Sequence, residues 1–316
     1  MDLEVQEDKI LSTLIVLLSV VLGISYIATT ILLIMILCYS LYKRYNLKFK
    51  KIYLLFLFNI PICVYYGNYL GILVDIALIA FFYVSYIRNR IDYNLVVRYS
   101  AYMAVVEIVL SLLLRERAGV YSFFNPNYYG AFLALLIVYY HIKKYDRKYL
   151  LVFIIALLLT GSRFALVSLI LTYALVLLDK NRVLGSIALI ISFIYFYLVY
   201  KGIVPFVRAD TISKYLDLRL WIYQLGIKGM SHGFLLGHGP TYFYEYSKHV
   251  YPHSHNILIE YILSYGLIGL VYALYNISEV KFNKKKILVI ALIMIHGLAD
   301  YTIFWPQVAL VFFTLF

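Results

Sequence analysis

The sequence predicts an all-α protein, a polytopic transmembrane helical bundle of about twelve spans. Of its 316 residues, 64% are hydrophobic and only 14% are charged, and the mean hydropathy is +0.86. Soluble domains of this length do not have such a composition. The apolar runs are continuous rather than alternating, which excludes a closed β-barrel. We therefore expect residues 1–316 to form a single integral-membrane domain.

Twelve apolar runs follow one another along the chain, and each is long enough to form a helix. The first two make one uncharged stretch from Ile10 to Leu41. As a helix this stretch is about 48 Å long, which exceeds the ~30 Å core of a bilayer. Gly23 and Ser25 predict a break and a short hairpin, and without that break the count falls to eleven spans. The runs cover about residues 10–24, 26–42, 52–66, 69–87, 95–114, 128–142, 149–162, 163–179, 184–201, 255–275, 287–300 and 303–316.

Lysines and arginines gather in five short clusters between apolar runs. The formal net charge is +12, but clusters placed in this way are the positive-inside signal and do not indicate a nucleic-acid partner. With every cluster in the cytoplasm, both termini are cytoplasmic and residues 202–254 form one long extracytoplasmic loop. The clusters are Lys43-Arg44 with Lys48, Lys50 and Lys51; Arg88 with Arg90; Lys143-Lys144 with Arg147-Lys148; Lys180 with Arg182; and Lys281 with Lys284-Lys285-Lys286.

The long loop contains a predicted amphipathic helix at residues 212–230. At 100° per residue, Lys214, Asp217 and Lys228 fall on one polar arc, whereas Arg219 falls among apolar side chains. A guanidinium on an apolar face must meet a buried anion or a ligand. Two interpretations stay open. Arg219 forms a salt bridge, with an acid such as Asp210 or Asp300, or it binds an anionic ligand.

Five of the seven histidines lie within residues 232–255 of this loop. Titratable groups concentrated at one membrane face of a membrane protein indicate a functional site. An imidazole is suited to act as a general base near neutral pH. A metal site built on His249, His253 and His255 is the alternative, but metal sites need supporting carboxylates, and few are close in sequence. The general base is therefore favoured, with His253 expected to point away from His255.

Other polar residues have a structural and a functional interpretation. Asp75 and Glu107 lie inside apolar runs, where acids are functional candidates or partners of an arginine such as Arg117. Arg163 follows Thr-Gly-Ser at the outer end of a span, where a snorkelling interfacial arginine is common. The aromatic segment 242–246 either stacks on sugar rings or belongs to the interfacial belt.

Four local patterns follow one another over residues 123–269. They are Phe123-Phe124-Asn125-Pro126-Asn127 at the start of a span, with Asn127 as the expected N-cap; Thr160-Gly161-Ser162-Arg163; Arg219-Leu220-Trp221 followed by Leu236-Gly237-His238-Gly239; and His255-Asn256 with Glu260, followed by Gly266-Leu267-Ile268-Gly269. Each pattern alone is weak, but the ordered set resembles the O-antigen ligase/polymerase superfamily, whose Wzy-type members polymerise lipid-linked glycans.

The resemblance implies a metal-independent membrane glycosyltransferase, without a cofactor, at the outer face of the plasma (inner) membrane. The implied donor is a polyprenyl-pyrophosphate-linked oligosaccharide. Its catalytic residues would be His255 as the general base and Arg219 and Arg163 on the pyrophosphate, because a planar guanidinium binds phosphate in a bidentate way. Substrate-binding roles are implied for Arg117, Asn127, His253, Asn256, Glu260, Gly237, Gly239 and Asp300.

The leading function is polymerisation of lipid-linked repeat units into a capsular, exopolysaccharide or O-antigen polysaccharide. A ligase that transfers a finished glycan to a lipid or cell-wall acceptor is the alternative within the enzyme class. A transporter, such as a flippase for lipid-linked oligosaccharides, is the alternative of another class, but the charges gather at one face and no inverted repeat is visible. The expected partners are the lipid-linked oligosaccharide and the bilayer, with a flippase and chain-length regulators as further candidates.

Overall fold

The computed structural model describes residues 8–43, 51–86, 90–201, 203–204, 212–279, 283–301 and 305–314. Within these ranges the chain forms helices and no strand, as the sequence predicts. The helices are α1 Lys9–Val21, α2 Tyr26–Tyr42, α3 Tyr53–Tyr65, α4 Tyr69–Tyr86, α5 Tyr93–Leu114, α6 Val120–Phe123, α7 Pro126–Lys143, α8 Arg147–Thr160, α9 Arg163–Lys180, α10 Arg182–Tyr200, α11 Ile212–Met230, α12 Tyr242–Tyr246, α13 Ile257–Ser278, α14 Lys284–Gly297 and α15 Pro306–Thr314.

Each of the twelve apolar runs contains a helix, and the predicted break between the first two is confirmed. Ser25 is the N-cap of α2, and its hydroxyl accepts the N–H of Ala28. The amphipathic helix predicted at 212–230 is α11. By length and composition, α5, α10 and α13 are apolar enough to cross a membrane, and shorter apolar helices accompany them. The chain is an integral membrane protein, and the count of twelve spans stays a prediction.

Some sequence-based predictions fall outside the described residues. Asp210, one proposed partner of Arg219, is among them, as are residues 202 and 205–211 of the long loop. So are Arg44, Lys48, Lys50, Arg88 and Lys281 of the basic clusters.

Two compact units make up the chain. The first contains Met1–Phe49, Ala77–Thr160 and Trp305–Phe316, and the second contains Lys50–Ile76 and Gly161–Phe304. The boundaries fall within α4 and between α8 and α9. The single domain over residues 1–316 stays a prediction.

Helix α7 forms the centre of the first unit. Every residue from Tyr128 to Tyr139 is buried, and the helix packs against α8 and α15. The ring of Trp305 stacks on Tyr26 and on Tyr128, with centroid distances of 4.6 and 4.3 Å. Because α7 is apolar on every side, its stability comes from complete burial rather than from one amphipathic face.

Glu107 of α5 is buried in the first unit. Its carboxylate accepts the N–H groups of Gly119 and Ser122 and the Ser122 hydroxyl, each at 2.7 Å. These bonds satisfy N–H groups at the start of the short helix α6, which intrahelical bonds leave unpaired. Glu107 thus has a structural role, but these partners are backbone and hydroxyl groups and not the arginine that the sequence suggested.

The start of α7 differs by two residues from the expected N-cap. Asn125 is the N-cap, and its side chain accepts the N–H of Asn127 at 2.9 Å. Pro126 occupies the first helical position, where its fixed φ suits the helix and its missing N–H is not needed. The prediction that Asn127 caps this helix is therefore wrong.

In the second unit, two ion pairs join segments that border the basic clusters. Lys51 pairs with Glu279 and Lys284 with Asp179, each at 2.7 Å. These exposed pairs contribute little stability. They do place the start of α3, the ends of α9 and α13, and the start of α14 at one end of the unit.

Helix α13 is broken at Gly266, where φ is 66° and ψ is −176°. Two i→i−4 bonds of a regular helix are opened there. The N–H groups of Leu267 and Ile268 donate instead to the carbonyls of Phe234 and Leu235. The carbonyls that they leave are satisfied from the same loop segment, as His238 N–H donates to Leu263 O and Gly239 N–H to Ser264 O, both at 2.9 Å.

The break lets α13 fit beside α14. A straight α13 of 22 residues would be about 33 Å long, whereas the 14 residues of α14 give about 21 Å. Only a short link joins the two helices at one end, and at the other end Gly297 packs against Ile257. The axis of α13 therefore changes direction at Gly266, between the first and second halves of the helix.

Helix α11 lies along this turned half of α13. Gly226 faces Ile259, and Gly229 faces Leu263 and Tyr246. The buried core between the helices contains Ile222, Phe243 and Leu263. Helices α11, α12 and the first half of α13 thus form one layer, which we call the α11–α13 layer.

Asp75 of α4 is buried in the second unit. Its carboxylate accepts a hydrogen bond from Asn59 Nδ2 and another from the Tyr265 hydroxyl, both at 2.8 Å. Tyr265 directly precedes the break at Gly266. Asp75 thereby joins α3 and α4 to the bend of α13 and has a structural role.

Candidate active site

The loop that follows α12 places two histidine rings side by side at the start of α13. His255 has a φ of 55°, a left-handed conformation that few residues other than glycine adopt. Asn256 then caps the helix, and its Oδ1 accepts the N–H groups of Leu258 and Ile259. The ring centroids of His253 and His255 are 4.3 Å apart.

The expectation that His253 points away from His255 is wrong. The N–H of His255 donates to His253 Nδ1 at 3.2 Å. In an extended segment successive side chains alternate, so residues two apart, such as His253 and His255, share one side, and the spacing itself therefore favours neighbouring rings.

Asp300, which follows α14, faces both rings. Its Oδ1 is 3.3 Å from His255 Nδ1 and 3.8 Å from His253 Nε2. Burial raises the pKa of Asp300, but the hydrogen bond from His255 and the electrostatic attraction of His253, His255 and, least, Arg219 outweigh it, so the net pKa is well below the usual range. The carboxylate is therefore ionised at neutral pH. An ionised carboxylate only accepts hydrogen bonds, so we place the ring proton of His255 on Nδ1. The side chain of His255 is 24% exposed.

His253 is the more deeply placed of the two histidines. Burial lowers its pKa to about 4, so the ring is neutral at physiological pH. Because His253 Nδ1 accepts the N–H of His255, its own proton lies on Nε2, which faces Asp300. His253 is thus a neutral support for His255.

The ring nitrogens of His253 and His255 and a carboxylate oxygen of Asp300 lie within 4.8 Å of one another, close enough to surround a metal ion. The hydrogen bonds do not fit this use. A metal on His253 Nε2 would displace the proton that the bond at Nδ1 assigns there. His249, expected in such a site, is exposed and its ring lies against Tyr244 at 4.6 Å.

Arg219 lies on the apolar side of α11, as predicted. Its guanidinium carbon is 4.6 Å from the centre of the Phe164 ring. Its Nη1 is buried and has no hydrogen-bond partner among the residues that the structure describes. Its positive charge acts on Asp300 and His253. The ion pairs of the described residues do not include one between Arg219 and Asp300.

Tyr223, one helical turn after Arg219, connects α11 to residues 247–256, the loop between α12 and α13, which we call the histidine loop. Its hydroxyl lies 2.7 Å from Leu298 O and 3.3 Å from His255 O. Asn256 Nδ2 also donates to Leu298 O, at 3.2 Å. One carbonyl after α14 thus fixes both the loop and the helix that carries Arg219.

Glu260 is buried one turn into α13. Its carboxylate accepts the N–H of Ser254 at 2.7 Å, and this bond holds the histidine loop against the helix start. Arg163 begins α9, is half-buried, and directly precedes Phe164, the ring under Arg219. Glu260 and Arg163 therefore belong to the segments that build the site.

The remaining predicted residues lie elsewhere. Gly237 and Gly239 have φ values of 75° and 92° and lie at the break of α13, where a Cβ on Gly237 would meet the backbone of Ser264. Arg117 and Asn127 belong to the first unit. There Arg117 Nη2 donates to Asn127 Oδ1 at 2.8 Å, and Arg117 Nε donates to a backbone carbonyl of α8.

Sequence reasoning did not identify Tyr223 and Phe164 as parts of the site. A signal was present for each. Tyr223 is four residues after Arg219 and shares its face of the helix, and Phe164 follows Arg163 in the Thr-Gly-Ser-Arg pattern. Their roles depend on which helices meet, which periodicity does not contain.

A comparison with protein families gives one match, to the family described as O-antigen ligase, over residues 149–274. No curated protein and no solved structure matches the chain. The matched segment contains Arg163, Arg219, His253 and His255, and Asp300 lies beyond it. The family match over residues 149–274 confirms the resemblance of this chain to the O-antigen ligase/polymerase superfamily.

Proposed function

We propose that this protein polymerises polyprenyl-pyrophosphate-linked oligosaccharide repeat units at the outer face of the plasma membrane. The observation that carries the proposal is the pairing of His255 with Asp300 beside Arg219, whose buried Nη1 has no partner among the described residues. A base held in one orientation next to an unsatisfied guanidinium suits a reaction with a hydroxyl acceptor and an anionic leaving group.

The reaction joins an acceptor hydroxyl to the anomeric carbon of the donor sugar. As the new C–O bond forms, the bond from that carbon to the pyrophosphate oxygen breaks. The hydroxyl proton moves to Nε2 of His255, because Nδ1 is directed to Asp300. Asp300 then stabilises the imidazolium, as a carboxylate does in a Ser-His-Asp triad.

The leaving polyprenyl pyrophosphate carries away the bonding electrons and needs fixed positive charge. Arg219 supplies it from a helix held rigidly against the histidine loop by Tyr223. Arg163 is the second cation in this proposal, since it is the first residue of α9 and directly precedes Phe164, whose ring lies against Arg219. A guanidinium binds two phosphate oxygens at once, which a lysine does not.

The ion pairs of the second unit support an outward-facing site. Lys51, Glu279, Asp179 and Lys284 lie at one end, where the basic clusters predict the cytoplasm. His255 and Asp300 lie at the opposite ends of α13 and α14. A lipid-linked sugar that has crossed the membrane presents its pyrophosphate on that outer side.

Purified protein in lipid nanodiscs tests the proposal with a lipid-linked repeat unit as both donor and acceptor. We expect a ladder of lengthening products, loss of all transfer in Arg219→Ala, and no effect of EDTA. If the protein in nanodiscs forms no product longer than one repeat unit, the proposed polymerase activity is contradicted. Loss of activity in EDTA that Zn²⁺ restores would contradict the metal-independent mechanism.

Ligation of a finished glycan is the second candidate, because the matched family is described as O-antigen ligase. The same base and cation would serve it, since the bond broken is the same. The two differ in the acceptor. Adding lipid-linked repeat units without any other acceptor gives product only for the polymerase.

A further inference from the structure

Aromatic rings contact one another in a series within the second unit, apart from the histidine loop, and one pair in the series is stacked face to face while the others meet edge-on or tilted. His238 stacks on Tyr242 with centroids 3.8 Å apart and an interplanar angle of 6°. Its other neighbour is Tyr66 at 4.6 Å, and Tyr242 continues to Tyr246 at 5.8 Å. We name the whole series the aromatic ladder, and it consists of Tyr65, Tyr66, His238, Tyr242, Tyr246 and His232.

The centre of the aromatic ladder is held rigidly. The N–H of His238 donates to Leu263 O at the break of α13, and its carbonyl accepts from Asn68 Nδ2 at 3.2 Å. The ring is buried, and burial lowers the pKa of His238. It is therefore a neutral, flat ring at physiological pH.

The ends of the aromatic ladder are accessible. Tyr65 is 82% exposed and Tyr66 is 44% exposed. His232 is exposed at the other end, and Tyr242 and Tyr246 are half-buried. A ligand can therefore reach the rings at both ends of the series, and the exposed parts of Tyr242 and Tyr246, without any movement of the buried centre.

The aromatic ladder lies at a definite distance from the proposed base. Its members Tyr242 and Tyr246 belong to α12 of the α11–α13 layer, and it contacts the rest of that layer at Leu263 and, through Tyr246, at Gly229. Leu263 follows His255 by eight residues along the first half of α13, which corresponds to roughly 12 Å. A sugar chain of a few residues extends over such a distance.

We propose that the aromatic ladder binds carbohydrate rings of the glycan chain, away from the reacting sugar. This inference rests on the proposed function, which supplies a glycan at His255. The C–H groups on one face of a pyranose carry partial positive charge, and aromatic faces are negative. Tyrosine hydroxyls at the ring edges can bond to sugar hydroxyls, so the ladder offers both an apolar face and a polar rim.

A membrane-interface belt is the competing explanation for exposed tyrosines. A belt requires amphipathic side chains at the right depth, but it requires neither mutual stacking nor a rigid centre. Leucine preserves apolar volume and removes the flat face, whereas phenylalanine preserves the face. Substitution with these two residues therefore distinguishes stacking from burial in lipid.

The test compares Tyr66→Leu and Tyr242→Leu with Tyr242→Phe in the native host, at equal membrane abundance. Tyr69→Leu is the matched control, because Tyr69 is 71% exposed and does not belong to the ladder. We expect both ladder variants to form the first linkage at the wild-type rate but to give polymers severalfold shorter. The phenylalanine variant and the control should keep the wild-type length distribution.

Wild-type polymer lengths in both leucine variants would overturn the inference, as would an equal shortening in Tyr69→Leu. A second measurement reads binding alone, by saturation-transfer NMR with the lipid-free oligosaccharide released from the host polysaccharide. Signal should persist in Arg219→Ala and weaken in Tyr242→Leu, and equal signals in wild type and Tyr242→Leu would also overturn the inference. If wild-type protein forms no linkage, the proposed function fails, and the binding measurement still decides on the ladder.

Discussion

At the scale of single residues, one carboxylate gives two neighbouring histidines different environments. Asp300 approaches His255 at Nδ1 and His253 at Nε2. The backbone N–H of His255 donates to Nδ1, the remaining ring nitrogen of His253. The remaining ring nitrogen of His255 is Nε2, and its ring is the more exposed of the two. His255 is therefore the proposed base, and His253 a positioning residue.

The two histidine variants should differ in severity. Loss of the base in His255→Ala should lower the transfer rate by about 10²–10⁴-fold. In His253→Ala the base stays but loses a supporting contact, so the decrease should be smaller. Transfer rates at matched membrane abundance check this prediction, and equal losses in both variants would contradict the assignment of His255 as the only base.

Asp300→Asn should impair transfer without affecting protein level. An amide can donate to His255 Nδ1, which shifts the ring proton to Nε2 and blocks the base. The equivalent change in a Ser-His-Asp triad lowers kcat by about 10⁴-fold, and we expect a loss of about 10²–10⁴-fold. Asp217→Asn, at an exposed position of α11, is the control and should be silent in the same rate assay.

Arg219→Lys should fail nearly as completely as Arg219→Ala. The reason is geometric, since a compact ammonium does not replace a fork that bonds two oxygens. Product yield and length on gels measure the effect, with Lys228→Ala on the polar arc of the same helix as the control. A lysine variant with wild-type yield would rule out the bidentate contact.

The sequence pointed to His255 and Arg219 on physical grounds, and their roles in the reaction stay predictions. Arg219 stands out because a cation on an apolar arc needs a partner, and His255 because a polar loop concentrates imidazoles. The orientation of His253 was predicted wrongly, because side chains two residues apart in an extended segment share one face. Asp300, which both rings face, lies 45 residues after His255, so the loop sequence alone gives no sign of it.

At the scale of elements, the break in α13 determines where its first half lies. Gly266→Ala should be strongly destabilising, because its φ and ψ lie in a region that is essentially limited to glycine, at about 1–3 kcal/mol for strain alone. A Cβ there would also collide with the carbonyl of Leu235. Thermal unfolding of purified protein should show a lower Tm.

Gly67→Ala is the matched control for this variant. Gly67 has a similar φ of 70°, but nothing lies within 4 Å of a Cβ there. Its substitution should have a smaller effect than Gly266→Ala. Equal losses of Tm would show that backbone strain, rather than the docked loop, accounts for the sensitivity of Gly266.

Hydropathy predicted the positions of the helices well, but it did not predict the break of α13 at Gly266. The twelve runs became helices because apolar residues in a bilayer must satisfy their backbone groups internally. The run from Ile257 to Tyr275 stays apolar through Gly266, so composition offers no sign of a bend. The signal was the glycine pattern at Gly237, Gly239 and Gly266, whose meaning depends on a contact between distant segments.

At the scale of the whole molecule, the orientation in the membrane is the main prediction. Cysteines introduced one at a time at Lys248 and Lys285, in a background with Cys38→Ser that keeps only the buried Cys63, should react differently with a membrane-impermeant reagent added to intact cells. Lys248 should be labelled and Lys285 protected, because the basic cluster at Lys285 faces the cytoplasm. Labelling of both positions to the same extent would overturn the topology.

The exchange of hydrogen bonds at Gly266 has a consequence for how the protein enters the membrane. Before the loop at Phe234–Gly239 docks, the same four backbone groups can pair within α13, which is then a straight helix long enough to span a bilayer. Docking replaces each internal bond with an external one. The helix can therefore be inserted as a complete span and bent afterwards, with no backbone group left unpaired in lipid at either stage.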